Sequence, residues 1–574
     1  MTHTKRDYSV DRRLLAVSGV ALLVGVVSTL AAAALLALIH FFTNVFFYQR
    51  LSLADASPAQ NALGMGVILV PAMGGMLVGL MARYGSEKIR GHGIPEAMES
   101  ILFGKSRMSA RVAILKPVSS GIAIGSGGPF GAEGPIIMTG GSLGSLLAQY
   151  LHLTAAERKT LLVAGACAGM TAIFATPVAA LLLAVELLLF ELRPRSLLPV
   201  ALACAVAGFM RKLVFEPGPL FPLHTEPVTT VAFVSCVIAG LLCGALAALL
   251  TLSLYKAEDC FHALPVHWMW WPAIGGLIVG MGGYLEPRAL GMGYDVIGDM
   301  LNGHLLVTAA VALLTVKAII WVIALGSGTS GGVLAPLLML GAGLGTLLAP
   351  FLPGGSPSLW ALVCMAGVLG STLGTPLTAI MFAFGLTHDS EALLPVMLTT
   401  AVAYGLTTLT MRRSIMTEKI ARRGLHIFRE YGVDPLERQH VSDLMSPEAI
   451  AIDGAMPVAD ALSRYCGDHE LYRVYPVTRE GRVLGMLDYP TLRKHECSAA
   501  RCMDVLSPLH PEHVLLPGAT ARLAAGRMAQ LEVGCLPVVK DLASMRLVGT
   551  VSLQDLLKPS RDLLEEETFR EKLR

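Results

Sequence analysis

Glu133 is the only Asp, Glu, Lys or Arg between Lys116 and Glu157, and it stands in the segment GSGGPFGAEGPIIMTGGSLGSLLA (125–148). An acid among glycines and apolar residues at membrane depth is costly, and its retention there reads as function. Gly125, Gly127, Gly128, Gly131 and Pro129 break the apolar pattern, so the backbone is irregular up to Gly134. Pro135 suits a first helical turn, which predicts a helix starting near 134–136. Its unpaired N–H groups and its dipole would attract negative charge. The Glu133 carboxylate can fill that anion site itself. A mobile anion would then have to displace it, and protonation would release it. The plainer alternative is a carboxylate that caps its own helix or pairs with Lys116.

Nothing points to enzymatic chemistry, since the membrane part has no nucleophile–base set, Walker-type loop or metal cluster. His495, Cys497 and Cys502 lie close in the chain, but their spacing fits no standard zinc pattern. No metal and no cofactor is expected for transport.

The elements that must hold Glu133 are hydrophobic. Of 574 residues 54% are hydrophobic and 15% charged, too little charge for a soluble surface of this size. Apolar runs occur at roughly 14–39, 61–82, 161–190, 197–210, 230–254, 269–286, 305–325, 358–386 and 392–411, several long enough to cross a bilayer. Lys and Arg are absent from Ala318 to Met411. The membrane part is therefore read as all-α and polytopic. Lys5, Arg6, Arg12 and Arg13 precede the first run and favour a cytoplasmic N-terminus. That run has no convincing cleavage site and reads as a retained helix. The net charge of +2, with no basic stripe, sets nucleic acid aside.

The composition changes near Arg412. The reading is a membrane domain over 1–425, a linker over 426–440 and a soluble α/β domain over 441–567. Residues 125–148 recur as GSGTSGGVLAPLLMLGAGLGTLLA (326–349) at a constant offset of 201, and 161–186 resembles 362–385. Two homologous halves, about 14–215 and 228–425, often form an inverted repeat. GHGIPEAM (91–98) supplies a third helix start marked by Gly and Pro. In the soluble part, 473–492 echoes 534–557, which gives two copies over about 441–496 and 501–560.

These motifs resemble the CLC family of chloride channels and proton/chloride exchangers. GAEGP (131–135) is similar to its G-R-E-G-P segment, GVLAP (332–336) to G-x-F-x-P and GHGIP (91–95) to G-S-G-I-P. The resemblance implies an inverted-repeat membrane fold with broken helices, a homodimer in the bilayer, and Glu133 as the gating glutamate. Backbone N–H groups near Gly93–Ile94, Glu133 and Val333–Leu334 would line the anion site. His92, Leu334 and Met416 stand where the family has Ser, Phe and Tyr. His92 could donate a hydrogen bond or take a charge, or it could face away and leave only its backbone in the site. Leu187 replaces the family's internal proton-transfer glutamate, so Glu186, Glu191 or water would have to carry protons.

The soluble part resembles a tandem CBS pair, which commonly binds adenine nucleotides. GTVSLQD (549–555) places Ser552 and Asp555 for phosphate and ribose. The other copy has Asp488 and Thr491 at those positions, so at most one competent site follows, and a purely structural pair stands beside it. The expected function is transport of chloride or a similar anion, proton-coupled or as a passive channel. A membrane-anchored nucleotide sensor is the reading from another class. Short loops and the absence of a targeting segment suggest a bacterial inner membrane.

Overall fold

The structure, a computed structural model, describes residues 13–427, 436, 439–447, 451–465, 474–496, 499–506 and 509–568. Lys5, Arg6, Arg12, Cys497 and most of the 426–440 linker lie outside the described residues. The chain divides into two compact units, Met1–Arg429 with Arg570–Arg574, and Glu430–Phe569.

The first unit is helical and built twice. Its first half comprises α1 (Arg13–Tyr48), α2 (Leu69–Tyr84), α3 (Ile94–Leu102), α4 (Ala110–Gly125), α5 (Glu133–Gln149), α6 (Ala155–Phe174), α7 (Pro177–Leu183, continued by a π turn to Leu189) and α8 (Pro194–Val214). The second half repeats the order with α9 (Ala232–His262), α10 (Trp271–Leu285), α11 (Tyr294–Leu301), α12 (Val307–Gly326), α13 (Leu334–Leu348), α14 (Pro357–Leu373), α15 (Pro376–Thr387) and α16 (Leu393–Thr410). A last helix, α17 (Ile415–Arg422), packs against α3. Among the described residues, seven helices are long and apolar enough to cross a membrane.

Two apolar runs that look continuous are broken. The run over 161–190 stops at Ala175, whose φ is +59°, and restarts at Pro177. The run over 358–386 breaks the same way at Gly374, φ +73°, and Pro376. Each proline lacks the N–H that would continue the helix, and residues on both sides are apolar, so composition hides the break. α6 and α14 are buried on all sides, with every residue from Thr160 to Phe174 and from Leu359 to Leu373 enclosed. A helix that is apolar all round belongs inside a bundle. α8, α9 and α16 instead expose large apolar side chains such as Phe209, Phe233 and Leu394.

Reciprocal bonds relate the halves. Gly131 N–H donates to Gly332 O (3.3 Å), and Gly332 N–H donates to Gly131 O (2.9 Å). Gly91 N–H donates to Gly328 O (3.3 Å), and Gly291 N–H to Gly127 O (3.1 Å). Each pair interchanges residues about 201 apart, as a pseudo-twofold axis between Gly131 and Gly332 requires. Two buried lysines share the relation. Lys116 Nζ donates to Ile89 O and Gly91 O (2.9 and 2.8 Å), and Lys317 Nζ donates to Ala289 O and Gly291 O (both 2.9 Å). Each ammonium thus satisfies carbonyls of the loop before α3 or α11 that would otherwise be buried without partners.

The second unit contains strands β1 (Ile452–Asp453), β2 (Val474–Arg479), β3 (Arg482–Asp488), β4 (Cys535–Val539) and β5 (Leu547–Ser552). β1 pairs parallel to β2 and β2 antiparallel to β3, while β4 and β5 form a second antiparallel pair. Bonds from Val483 N–H to Met545 O and from Leu547 N–H to Gly481 O join the two copies. Their apolar faces close separate small cores around Tyr475 and Leu536.

Candidate functional site

α5 begins at Glu133 itself, a residue earlier than the expected window, and α13 begins at its repeat mate Leu334. The Gly131–Gly332 bonds hold these two N-termini side by side. The Glu133 side chain, fully buried, crosses to the other half, where Ala335 N–H donates to its Oε1 at 2.6 Å. The amides of Glu133 and Leu334 also face the carboxylate. A carboxylate thus lies where two helix N-termini converge, held through Oε1 by a backbone donor and favoured by the dipoles of both helices. A Cβ on Gly131 would come 1.9 Å from Glu133 Oε2 and displace the carboxylate from this position. Oε2 has no hydrogen-bond partner.

Lys116 takes no part in binding this carboxylate. Its ammonium is spent on Ile89 O, Gly91 O and Ser330 Oγ, which removes the ion-pair alternative. Capping of its own helix is a partial description, since the strongest contact is to α13.

α3 brings a third N-terminus. Gly93 precedes it at φ +87°, a conformation glycine adopts without strain, and the His92 carbonyl lies against Gly134. The His92 backbone abuts the Glu133 turn, and its imidazole, 3% exposed, lines a cavity of about 680 Å³. The imidazole Nδ1 is buried without a partner. The cavity wall is ionic: Glu96 Oε1 meets Lys419 Nζ at 2.8 Å and Arg423 at 3.0 Å, while Arg90 lies over Trp268 and Trp271 at 4.5 and 5.6 Å. The Glu96 pairs join residues more than 300 positions apart and those of Arg90 residues about 180 apart, so neither has a local signature.

Val333 and Leu334 cap and begin α13 beside Glu133. Met416 is buried on α17. Ile94 is the first residue of α3 and fully buried. Glu186 is engaged elsewhere: Leu377 N–H, Thr378 N–H and Thr378 Oγ donate to it at 3.1, 2.7 and 2.7 Å, so it caps α15. Leu187 beside it is fully buried, and Glu191 accepts from Ser196 Oγ at 2.5 Å. Tyr294, at the start of α11, went unnoticed in the sequence, because GMGYD (291–295) shares only its glycines with GHGIP.

In the second unit, Ser552 ends β5 and its Oγ donates to Asp555 Oδ2 at 2.7 Å, while Lys558 Nζ holds Oδ1 at 2.7 Å. Burial raises the Asp555 carboxyl, but Lys558 and the Ser552 hydroxyl and N–H outweigh it and hold the group below its ordinary value. In the other copy Asp488 accepts from Thr491 N–H at 2.9 Å and caps the helix Tyr489–Lys494. Among the described residues no group of His, Cys, Asp and Glu could hold a metal.

A family model described as "Voltage gated chloride channel" matches residues 74–408, and a CBS domain model matches 441–495 and 504–562. The "Putative chloride channel protein ClcB-like" of Ralstonia nicotianae is 30% identical over 366 residues, covering 62% of this chain and 85% of that protein. The "H(+)/Cl(-) exchange transporter ClcA" of Klebsiella pneumoniae is 27% identical over 414 residues, covering 68% and 85%. Among solved structures, a slow cyanobacterial Cl-/H+ antiporter superposes with a TM-score of 0.63 at 22% identity, over 72% of this chain and 99% of that one. A eukaryotic CLC transporter does so at 0.61 and 17%, over 94% and 98%.

Proposed function

The chain belongs to the voltage gated chloride channel family and is a multi-pass membrane protein, and from that premise we propose that it moves chloride or a similar small anion across the bilayer with Glu133 as the gate. The observation that carries this reading is the Glu133 carboxylate resting on the Ala335 amide at the junction of α5 and α13. A group of one negative charge already sits there, so a mobile anion of similar size fits the same donors. Backbone amides hold an anion without the tight grip of a full positive charge, which lets it leave again. Protonation neutralises the competitor and frees the site. The anion and the ionised Glu133 carboxylate then exclude one another, so anion binding and Glu133 protonation are linked, and that linkage couples the two fluxes. That makes proton-coupled exchange the first reading.

Passive conduction is the second, favoured by a specific observation: Leu187 is apolar and buried, and Glu186 is spent as a helix cap. The cavity beside His92, lined in part by Arg90, Arg422 and Arg423, would be the mouth facing the cytoplasm, where Lys and Arg accumulate. The N-terminus and CBS pair would lie on that same side of a bacterial inner membrane, and the protein would work as a homodimer. An adenine nucleotide would bind at Ser552 and Asp555 by displacing Lys558. The protein is read as a transporter and not as an enzyme.

The test uses purified protein in chloride-loaded liposomes, with an outward chloride gradient, voltage clamped by valinomycin, and external chloride and pH recorded together. Uphill proton movement that disappears in Glu133→Ala while chloride flux persists is the expected result. Chloride flux without uphill protons would replace exchange with conduction. Flux and pH response unchanged in Glu133→Ala would end the gate reading.

A further inference from the structure

When an anion takes the Ala335 amide, the Glu133 carboxyl must go somewhere. At this depth a displaced carboxylate has no water and needs a protein donor. One donor stands ready. The Tyr294 hydroxyl is enclosed and has no hydrogen-bond partner, like Glu133 Oε2 itself. It lies near the Ala132 amide without meeting hydrogen-bond geometry, and within electrostatic reach of Glu133. Its ring is fixed edge-on against Phe174 (centroids 6.2 Å, planes 81° apart) and Phe221 (6.4 Å, 66°), and Phe174 packs on Phe382 at 5.1 Å. Rigid aromatic neighbours hold the hydroxyl in place before any anion arrives.

The repeat gives the position meaning. Tyr294 follows Gly293, whose φ is +74°, as Ile94 follows Gly93. The other charged groups around this turn are Asp295, which is exposed, and Lys317, which is bound to Ala289 O and Gly291 O. Neither competes for the phenol.

We propose that Tyr294 is a positioning residue whose O–H docks the Glu133 carboxyl after an anion displaces it. The inference rests on Glu133 being the gate. The dock lowers the cost of displacement and so strengthens apparent anion binding. Tyr294→Phe keeps the ring contacts and removes only the donor.

The measurement is chloride binding by titration calorimetry on the full chain in detergent, for wild type, Tyr294→Phe, Glu133→Ala and the double variant. Glu133→Ala should bind more tightly than wild type. Tyr294→Phe should bind about tenfold more weakly than wild type, the loss of one hydrogen bond to a charged group, and should change nothing in the Glu133→Ala background. Wild-type affinity in Tyr294→Phe would overturn the dock alone. Equal weakening in both backgrounds would also overturn it, because the phenol would then touch the anion or support the fold instead. Unchanged affinity in Glu133→Ala would overturn the gate and the dock with it.

Discussion

The N-termini of α5 and α13 share a backbone and differ in what they carry. Both follow a glycine-rich turn, both run Gly-x-x-x-Pro, and each donates a hydrogen bond to the other's glycine. One begins with Glu133 and the other with Leu334. The same division recurs in the soluble unit, where one copy has Ser552 at its strand end and Asp555 in the helix that follows, and the other has Asp488 and Thr491 at those places. Repetition builds the frame, and departures from it carry the chemistry.

The sharpest way to break that comparison is to move the acid. Glu133→Leu should abolish the pH response of chloride flux in liposomes, which for one gating carboxylate is on the order of tenfold per pH unit where it is mostly ionised. Adding Leu334→Glu in that background should restore a pH response, because the α5 amides mirror those of α13. No recovery would mean that the frames are not equivalent.

Next come the paired lysines. Lys116→Met and Lys317→Met each strand two buried carbonyls, at a cost of about 2–5 kcal/mol, read as thermal unfolding in detergent. Lys116 also bonds Ser330, so its loss should cost more. A silent Lys317→Met would show that the second loop does not need its tie.

Gly93→Ala and Gly293→Ala probe the two left-handed caps, at about 1–2 kcal/mol each. Only the first should also weaken anion binding, since its Cβ would lie 3.2 Å from Gly134 O. Equal anion affinity in both variants would place the site further from α3.

The smallest effect belongs to Asp555. Its folded-state pKa is lowered, so its stabilisation is present above the ordinary carboxylate range and is lost as pH falls through the folded value. Limited proteolysis of the full chain should show the second unit loosening on acidification in wild type and less so in Asp555→Asn.

Much of the candidate site was legible because the 201-residue offset survives where the backbone is constrained. Glycine and proline positions around Glu133 and Leu334 report on turns that tolerate little else, and the helix starts fell within a few residues of those expected. Lys116 and Lys317 obey the same offset, yet their partners are carbonyls, which leave no trace in side-chain identity. Tyr294 escaped notice because α3 and α11 kept their caps while their side chains diverged. The breaks at Pro177 and Pro376 were hidden by apolar residues on both sides. Glu96 gathers Lys419 and Arg423 across most of the unit, a contact that only folding creates. β1, two residues long, is too short for alternation to show.

The reciprocal Gly131–Gly332 bonds set a limit on occupancy. A Cβ on Gly332 would stand 3.0 Å from the Glu133 carboxyl carbon, so side chains from the two symmetric positions converge on one small volume. Acids at both 133 and 334 would repel, and one would have to stay protonated for the pair to fit. A twofold frame of this kind has room for a single ionised group, whether it belongs to the protein or to the anion passing through. Leu334 is thus the counterpart that keeps the number at one.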